Sequence, residues 1–312
     1  MKLLVIVGPT ATGKTRLAVE VAHRLASEII SADSRQVYRG LDIGTGKDLA
    51  EYSAVDPPIP WHLIDIADPR EVYTLFRYQK DCHEVLRSLA RQPHFGGGTT
   101  PVLMVGGSGL YVEAILRNFR LADVGEDSQL RHDLQNYSRE ELEARLLKLS
   151  PEVHTRTDCS SSRRLIRGLE IAAAEERGPV QYTQPLDFEL DVGILSITTD
   201  RQQLREKISN RLESRLRHGM IEEVRGLLAQ GITPERLASL GLEYREIGAY
   251  LAGLKTYRSM TRDLETEIGK FAKRQETWFR GMSRRGLPVK TIESGDVEAA
   301  MQAVEEWYPP MG

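Results

Sequence analysis

An unbroken apolar run, Leu3 to Val7, leads directly into GPTATGKT at residues 8–15 and then into TRLAVEVAHRLA. The run has strand length and no polar alternation, the pattern of a strand buried on both faces of a parallel sheet. After the loop, Leu17, Val21 and Leu25 recur at helical spacing. Strand, glycine loop and helix in that order is the context in which such a loop acts as a phosphate cradle. Gly8 and Gly13 let backbone amides converge on phosphate oxygens, Lys14 adds a point charge, and the Thr15 hydroxyl can ligate magnesium (Mg2+).

A phosphate loop does not name a reaction, because kinases, GTPases and several transferases share it. Discrimination must come from what else stands at the carboxyl ends of the strands, where open α/β sheets bind ligands. One such segment is EIISAD, Glu28 to Asp33, followed by Ser34, Arg35, Gln36, Val37 and Tyr38. Read from spacing, Asp33 can hold magnesium, act as a base or cap a turn, and these alternatives stay open. The other is Val102 to Val105, running into GGSGLY at 106–111. Its glycines permit close approach to a ligand with Ser108 offering a hydroxyl, or they make a purely structural turn.

Six stretches together give the chain a family resemblance: GPTATGKT at 8–15, DSRQVYRGLDIGTGK at 33–47, WHLID at 61–65, GGSGLY at 106–111, RRLIRGLE at 163–170 and AKRQETWFRG at 272–281. In this order and spacing, across nearly the whole chain, they resemble the tRNA dimethylallyltransferases, or isopentenylpyrophosphate transferases. The resemblance implies a P-loop NTPase-like parallel sheet flanked by helices, carrying a helical insertion domain. It implies transfer of a prenyl group from dimethylallyl diphosphate to the exocyclic amine of the adenosine just 3′ of the anticodon in tRNA. Asp33 would be the general base, with Ser108 and Lys14 beside the reacting groups. Gly8, Pro9, Thr10, Ala11, Thr12, Gly13, Lys14, Thr15 and Arg211 would grip the diphosphate or nucleotide, ATP included, with Thr15 on the metal. Asp33, Ser34, Arg35, Gln36, Ser108, Arg131, Arg163, Arg164 and Arg167 would meet the tRNA, while Tyr38, Asp42, Lys47 and His62 would support the site.

The strand runs and glycine loops cluster before residue 118 and return at Val192 to Ile197. Between them the chain is helix-prone, so residues 1–118 and 191–312 are expected to form the catalytic core and residues 119–190 a helical insertion that contacts tRNA. The stretch PHFGGGTT, with its proline, reads as a loop insertion before the third strand. Net charge is only −3, which disfavours a general nucleic-acid binder. Locally the balance differs: Lys270, Lys273, Arg274, Arg280, Arg284, Arg285 and Lys290 face a single acid, Glu276. On a helix, Ile268, Phe271, Gln275, Trp278 and Met282 make one stripe, and Lys270, Lys273, Arg274, Thr277 and Arg284 lie opposite, one face for the core and one for phosphates.

Cys82 and Cys159 are isolated, and no histidine pair has metal-ligand spacing, so neither a disulfide framework nor a zinc cluster is indicated. No apolar run approaches a membrane span and no leader precedes the first strand, so a cytoplasmic monomer is expected. Three functions remain in view: tRNA prenyl transfer, with a free-nucleotide isopentenyltransferase as its close cousin; a P-loop kinase; and a non-catalytic RNA binder. The RRLIR helix and the basic carboxyl-terminal helix favour a polymer acceptor.

Overall fold

The computed structural model describes residues 1–98 and 100–309. The chain divides into two compact units, Met1–Asn118 together with Leu186–Gly312, and Phe119–Pro185. The first unit carries a parallel sheet that, among the described residues, has six strands in the order β3-β2-β4-β1-β5-β6. The strands are β1 Lys2–Val7, β2 Ile29–Ser31, β3 Trp61–His62, β4 Val102–Gly106, β5 Asp191–Thr198 and β6 Val289–Glu293. Helices flank it, as expected of a P-loop NTPase-like α/β chain.

The apolar run of β1 has its physical explanation in the core. Leu3, Val5 and Val7 enter one hydrophobic cluster and Leu4 and Ile6 the other, so successive residues feed opposite faces and none is exposed. Two strands have no such signal. β3 is only the pair Trp61–His62, and β6, VKTIE, sits at the sheet edge with Ile292 as its one fully buried residue. Edge strands bury little, so their sequences carry little apolar patterning.

Register decides where the loops go. Val7 pairs with Gly106 and Ser196, and Ser31 pairs with Val105. The carboxyl ends of β1, β2 and β4 therefore stand at one height, and the three segments that follow them share one edge of the sheet. The phosphate loop leads into the helix Lys14–Leu25, and the segment after β4 leads into the helix Gly109–Leu116. Before β4, Pro93–Gly96 forms one short helical turn where the sequence suggested an inserted loop; Thr99 of that stretch lies outside the described residues.

The segment Asp42–Lys47, which follows β2, is anchored from two sides. One Glu223 carboxylate accepts the backbone N–H groups of Asp42, Ile43 and Gly44 at 2.9, 2.6 and 3.0 Å, and the Tyr244 hydroxyl at 2.8 Å. Lys47, 1 % exposed, donates to the Tyr38 carbonyl at 2.8 Å, to Asp42 at 2.5 Å and to Asp65. A buried ammonium is tolerated only with partners of this kind.

The second unit is helical. Ser128–Leu134, Arg139–Leu149, Pro151–Arg156 and Ser162–Arg177 pack around Leu134, Leu142, Leu146, Val153, Leu165 and Leu169. Asp127, Ser138 and Ser150 cap the first three helices, Ser138 reciprocally with Glu141. An antiparallel bridge between Ala122 and Tyr182 brings the two ends of the unit together. Residues 186–190, assigned to the insertion from sequence, group with the first unit because Leu186, Phe188 and Leu190 pack on its core. No described helix is long and apolar enough to cross a membrane.

Lys47→Met removes the ammonium that joins Tyr38, Asp42 and Asp65. Because both acids keep some access to water, the expected loss is about 2–3 kcal/mol, below the range for a fully buried pair. Urea unfolding of both proteins measures it, and an unchanged midpoint would show that the lysine does not brace this segment.

Candidate active site

Asp33 stands two residues beyond the end of β2. Its Oδ1 accepts the Arg35 N–H at 2.9 Å, which fixes the turn and leaves Oδ2 toward Gly107. The adjoining residue ties this turn to the segment after β4: Ser34 donates its N–H to Ser108 Oγ at 3.0 Å, and the Ser108 hydroxyl lies 3.2 Å from Ser34 Oγ. Gly106 is required by the same closeness, since a Cβ there would lie 2.1 Å from the Ala32 carbonyl oxygen. For Gly106 the packing reading of the GGSGLY glycines is therefore correct.

A cleft opens between these turns and the phosphate loop, lined by Thr10, Ala11, Gly13, Lys14, Thr15, Asp33, Arg35, Gln36, Gly46, Arg211, Phe271 and Gln275 among others. Not every residue of the loop faces it. Pro9 has no N–H, and its carbonyl accepts both the Thr12 hydroxyl at 2.8 Å and Lys14 Nζ at 2.7 Å. Thr12 is fully buried, and a Cβ at Gly8 would meet the Ile197 carbonyl at 2.9 Å. Gly8, Pro9 and Thr12 thus shape the loop from behind. Ala11 and Gly13, with φ of 64° and 73°, turn the backbone so that neighbouring amides can face a common anion.

Gln275, from the helix Tyr257–Arg284, joins the two halves of the cleft. Its Oε1 accepts the Thr10 N–H and its Nε2 donates to the Gly107 carbonyl, each at 2.8 Å. The Thr10 amide is consequently committed to protein. The apolar stripe of this helix does face inward, with Gln275 and Met282 buried, while Lys270, Lys273, Arg274 and Arg284 are exposed. Sequence reading placed Gln275 on that stripe without anticipating its two hydrogen bonds.

The helix Arg201–Arg217 brings in Arg211 and, one turn later, Arg215. Arg215 Nη2 is buried without a hydrogen-bond partner, and neither guanidinium has an ion pair or hydrogen bond among the described residues. Both lie against Gly46, whose φ of 64° and lack of a side chain make room; a Cβ there would be 1.6 Å from Arg215 Nη2 and 2.6 Å from Arg211 Nη2. Burial, reinforced by the Arg211 charge, lowers Lys14 to about 7 against the opposing pull of Asp33. Burial is also the main cause lowering Arg211, and, with Arg211 beside it, it brings Arg215 down to about 10. Three half-buried cations without ion-pair partners among the described residues can accept an anion.

Residues 36–282 match the family described as IPP transferase, and residues 1–53 match isopentenyl transferase. The chain is 47 % identical to tRNA dimethylallyltransferase 2 of Porphyromonas gingivalis, over 94 % of each chain. It is 44 % identical to tRNA dimethylallyltransferase 1 of Syntrophus aciditrophicus, over 97 % of each. It belongs to the tRNA dimethylallyltransferase family. Among solved structures, the full-length tRNA isopentenylpyrophosphate transferase of Bacillus halodurans superposes with a TM-score of 0.67 at 32 % identity, covering 98 % of this chain and 94 % of that one.

For a dimethylallyltransferase chain, the remaining expected contacts fall into two groups. Arg35 pairs with Glu243 at 2.8 Å with its guanidinium 5.2 Å from the Phe271 ring, and Gln36 donates to the Gly46 carbonyl at 2.9 Å. Within the second unit, Arg131 bonds Glu170 through Nε at 2.7 Å and Nη2 at 3.2 Å, and Arg167 reaches the same carboxylate at 2.9 Å and the Val124 carbonyl at 2.7 Å. The Glu170 side chain is 0 % exposed; burial raises its pKa, but these guanidiniums and the Asp127 N–H outweigh that and hold it below the usual carboxylate range. Arg131 and Arg167 are thus both tied to the Glu170 carboxylate, with about a third of each side chain exposed. Arg164 pairs with Asp158, and Arg163 is exposed with no partner among the described residues.

Gln275→Leu should leave the Thr10 N–H and the Gly107 carbonyl unpaired at similar side-chain volume. The expected destabilisation is about 2–6 kcal/mol, from about 1–3 for each of the two orphaned groups. A thermal-melt difference near zero would mean that water replaces both bonds.

Proposed function

We propose that this chain transfers a dimethylallyl group from dimethylallyl diphosphate to the exocyclic amine of the adenosine 3′-adjacent to the anticodon of tRNA, releasing diphosphate. The observation that carries this reading is the pairing, in one cleft, of Lys14 and Arg211 without acid partners and of Asp33 with one oxygen uncommitted, with Arg215 next to them against Gly46. An allylic diphosphate leaves as the C–O bond breaks, and its negative charge is neutralised by the lysine, the guanidiniums and the amides of Gly13, Lys14 and Thr15. The adenine nitrogen forms the new bond to the allylic carbon and passes a proton to Asp33. Removing that proton matters because the amine lone pair is delocalised into the ring.

Magnesium fits the oxygen donors here: the Thr15 hydroxyl, with Asp33 and Asp48 lining the same cleft. Bound at Thr15, it would screen the diphosphate charge. Ser108 acts through Ser34, holding the Asp33 turn. On the tRNA side, Ser34, Arg35 and Gln36 border the acceptor, and Arg163 and Arg164 meet phosphates from a helix that Arg131 and Arg167 hold. The exposed Lys273, Arg274 and Arg284 supply further phosphate contacts. The protein works as a cytoplasmic monomer. A P-loop kinase would require ATP as the electrophile.

With magnesium, the protein is expected to move label from dimethylallyl diphosphate to tRNA with an A-rich segment after the anticodon, and not to AMP. Asp33→Asn should lower turnover at least about tenfold with tRNA affinity unchanged, since the base acts in the transition state. Stoichiometric ATP consumption without label transfer would instead support the kinase.

Lys14 also makes diphosphate binding pH-linked. Its pKa of about 7 leaves it largely neutral at pH 8 in the free protein, and an adjacent diphosphate restores the charge. At pH 8 binding should therefore take up about one more proton in the wild type than in Lys14→Arg, whose cation is always charged. The difference should vanish at pH 6, where Lys14 is already protonated. Calorimetry in buffers of different ionisation enthalpy reads this, and equal uptake by both proteins at pH 8 would refute the linkage.

A further inference from the structure

We propose that the helical insertion binds a zinc ion through Glu143, His154 and Cys159. The three come from separate segments: Glu143 from Arg139–Leu149, His154 from Pro151–Arg156, and Cys159 from the turn before Ser162–Arg177. Their donor atoms all lie within 4.8 Å of one another, and all three residues are half-buried. His154 Nε2 stands 3.5 Å from Glu143 Oε1. That is long for a charge-assisted hydrogen bond, but close to the roughly 3.3–3.6 Å separating two ligands on tetrahedral zinc with bonds of about 2.0–2.3 Å.

Chemistry and surroundings agree with geometry. A carboxylate, an imidazole and a thiolate form a mixed donor set suited to zinc, and the two anionic ligands balance its charge. Water completes the coordination on the solvent side. Arg139 orients two of the ligands, with Nη1 3.6 Å from the Glu143 carboxylate and 3.4 Å from the Cys159 carbonyl, and Glu140 at 2.7 Å neutralises that guanidinium. The insertion's core cluster has only seven buried residues, and a core of that size gains from a metal staple. Zinc here would hold the turn that leads into the helix bearing Arg163 and Arg164.

Cobalt(II) substitution tests this on the full-length, tag-free, metal-free protein. One cobalt per chain should give a thiolate-to-cobalt charge-transfer band and the visible absorption of tetrahedral cobalt, both displaced by zinc. Cys159→Ser should abolish the charge-transfer band, and His154→Gln, which removes a direct ligand, should weaken zinc binding by more than the roughly 10- to 100-fold typical of losing an outer-shell partner. Circular dichroism checks that both variants fold, and Cys82→Ala, at the cysteine buried in the other unit, should keep the band. Absence of the band in folded wild-type protein, or its survival in Cys159→Ser, overturns the proposal.

Discussion

Everything around the cleft depends on keeping Arg211, Arg215 and Lys14 free of internal counter-ions. Acids are near, Asp48 among them in the cleft lining, but none forms an ion pair with these three among the described residues, and several are committed elsewhere. Glu243 pairs with Arg35, Glu223 accepts three backbone amides and a tyrosine hydroxyl, and Asp42 and Asp65 hold Lys47. Had one of these carboxylates reached Arg215, the site would be neutral and a diphosphate would have to displace it. The structure instead keeps the cationic charge desolvated, which strengthens its hold on an incoming anion.

Mechanical continuity across the cleft comes from a few polar contacts. Gln275 links the phosphate loop to the segment after β4, and Ser108 links that segment to the Asp33 turn. The leaving-group side and the proton-accepting side are thereby held relative to each other by hydrogen bonds from three different parts of the chain. Since Gln275 belongs to the helix with the exposed basic face, that helix is fastened at the site by one amide.

The insertion unit follows a different logic. Its central polar feature, Glu170 with Arg131 and Arg167, is a satisfied buried network that specifies how its helices meet. Outward on that scaffold, Arg163 is exposed without a partner among the described residues, while Arg164 is exposed and paired with Asp158.

Local patterns made much of this molecule legible. The β1 run, the glycine loop, Asp33 at a strand end and the two-faced helix near residue 275 are each encoded within a few residues, because burial on both sheet faces and helical periodicity leave marks at short range. Edge strands β3 and β6, the second hydrogen-bonding role of Gln275, the partnerless state of Arg215 and the meeting of Glu143, His154 and Cys159 left no such mark. In each case the property belongs to groups far apart along the chain or to a partner that is missing. An arginine reads identically whether or not a carboxylate awaits it, and only packing determines which charges are paired and which remain for a ligand.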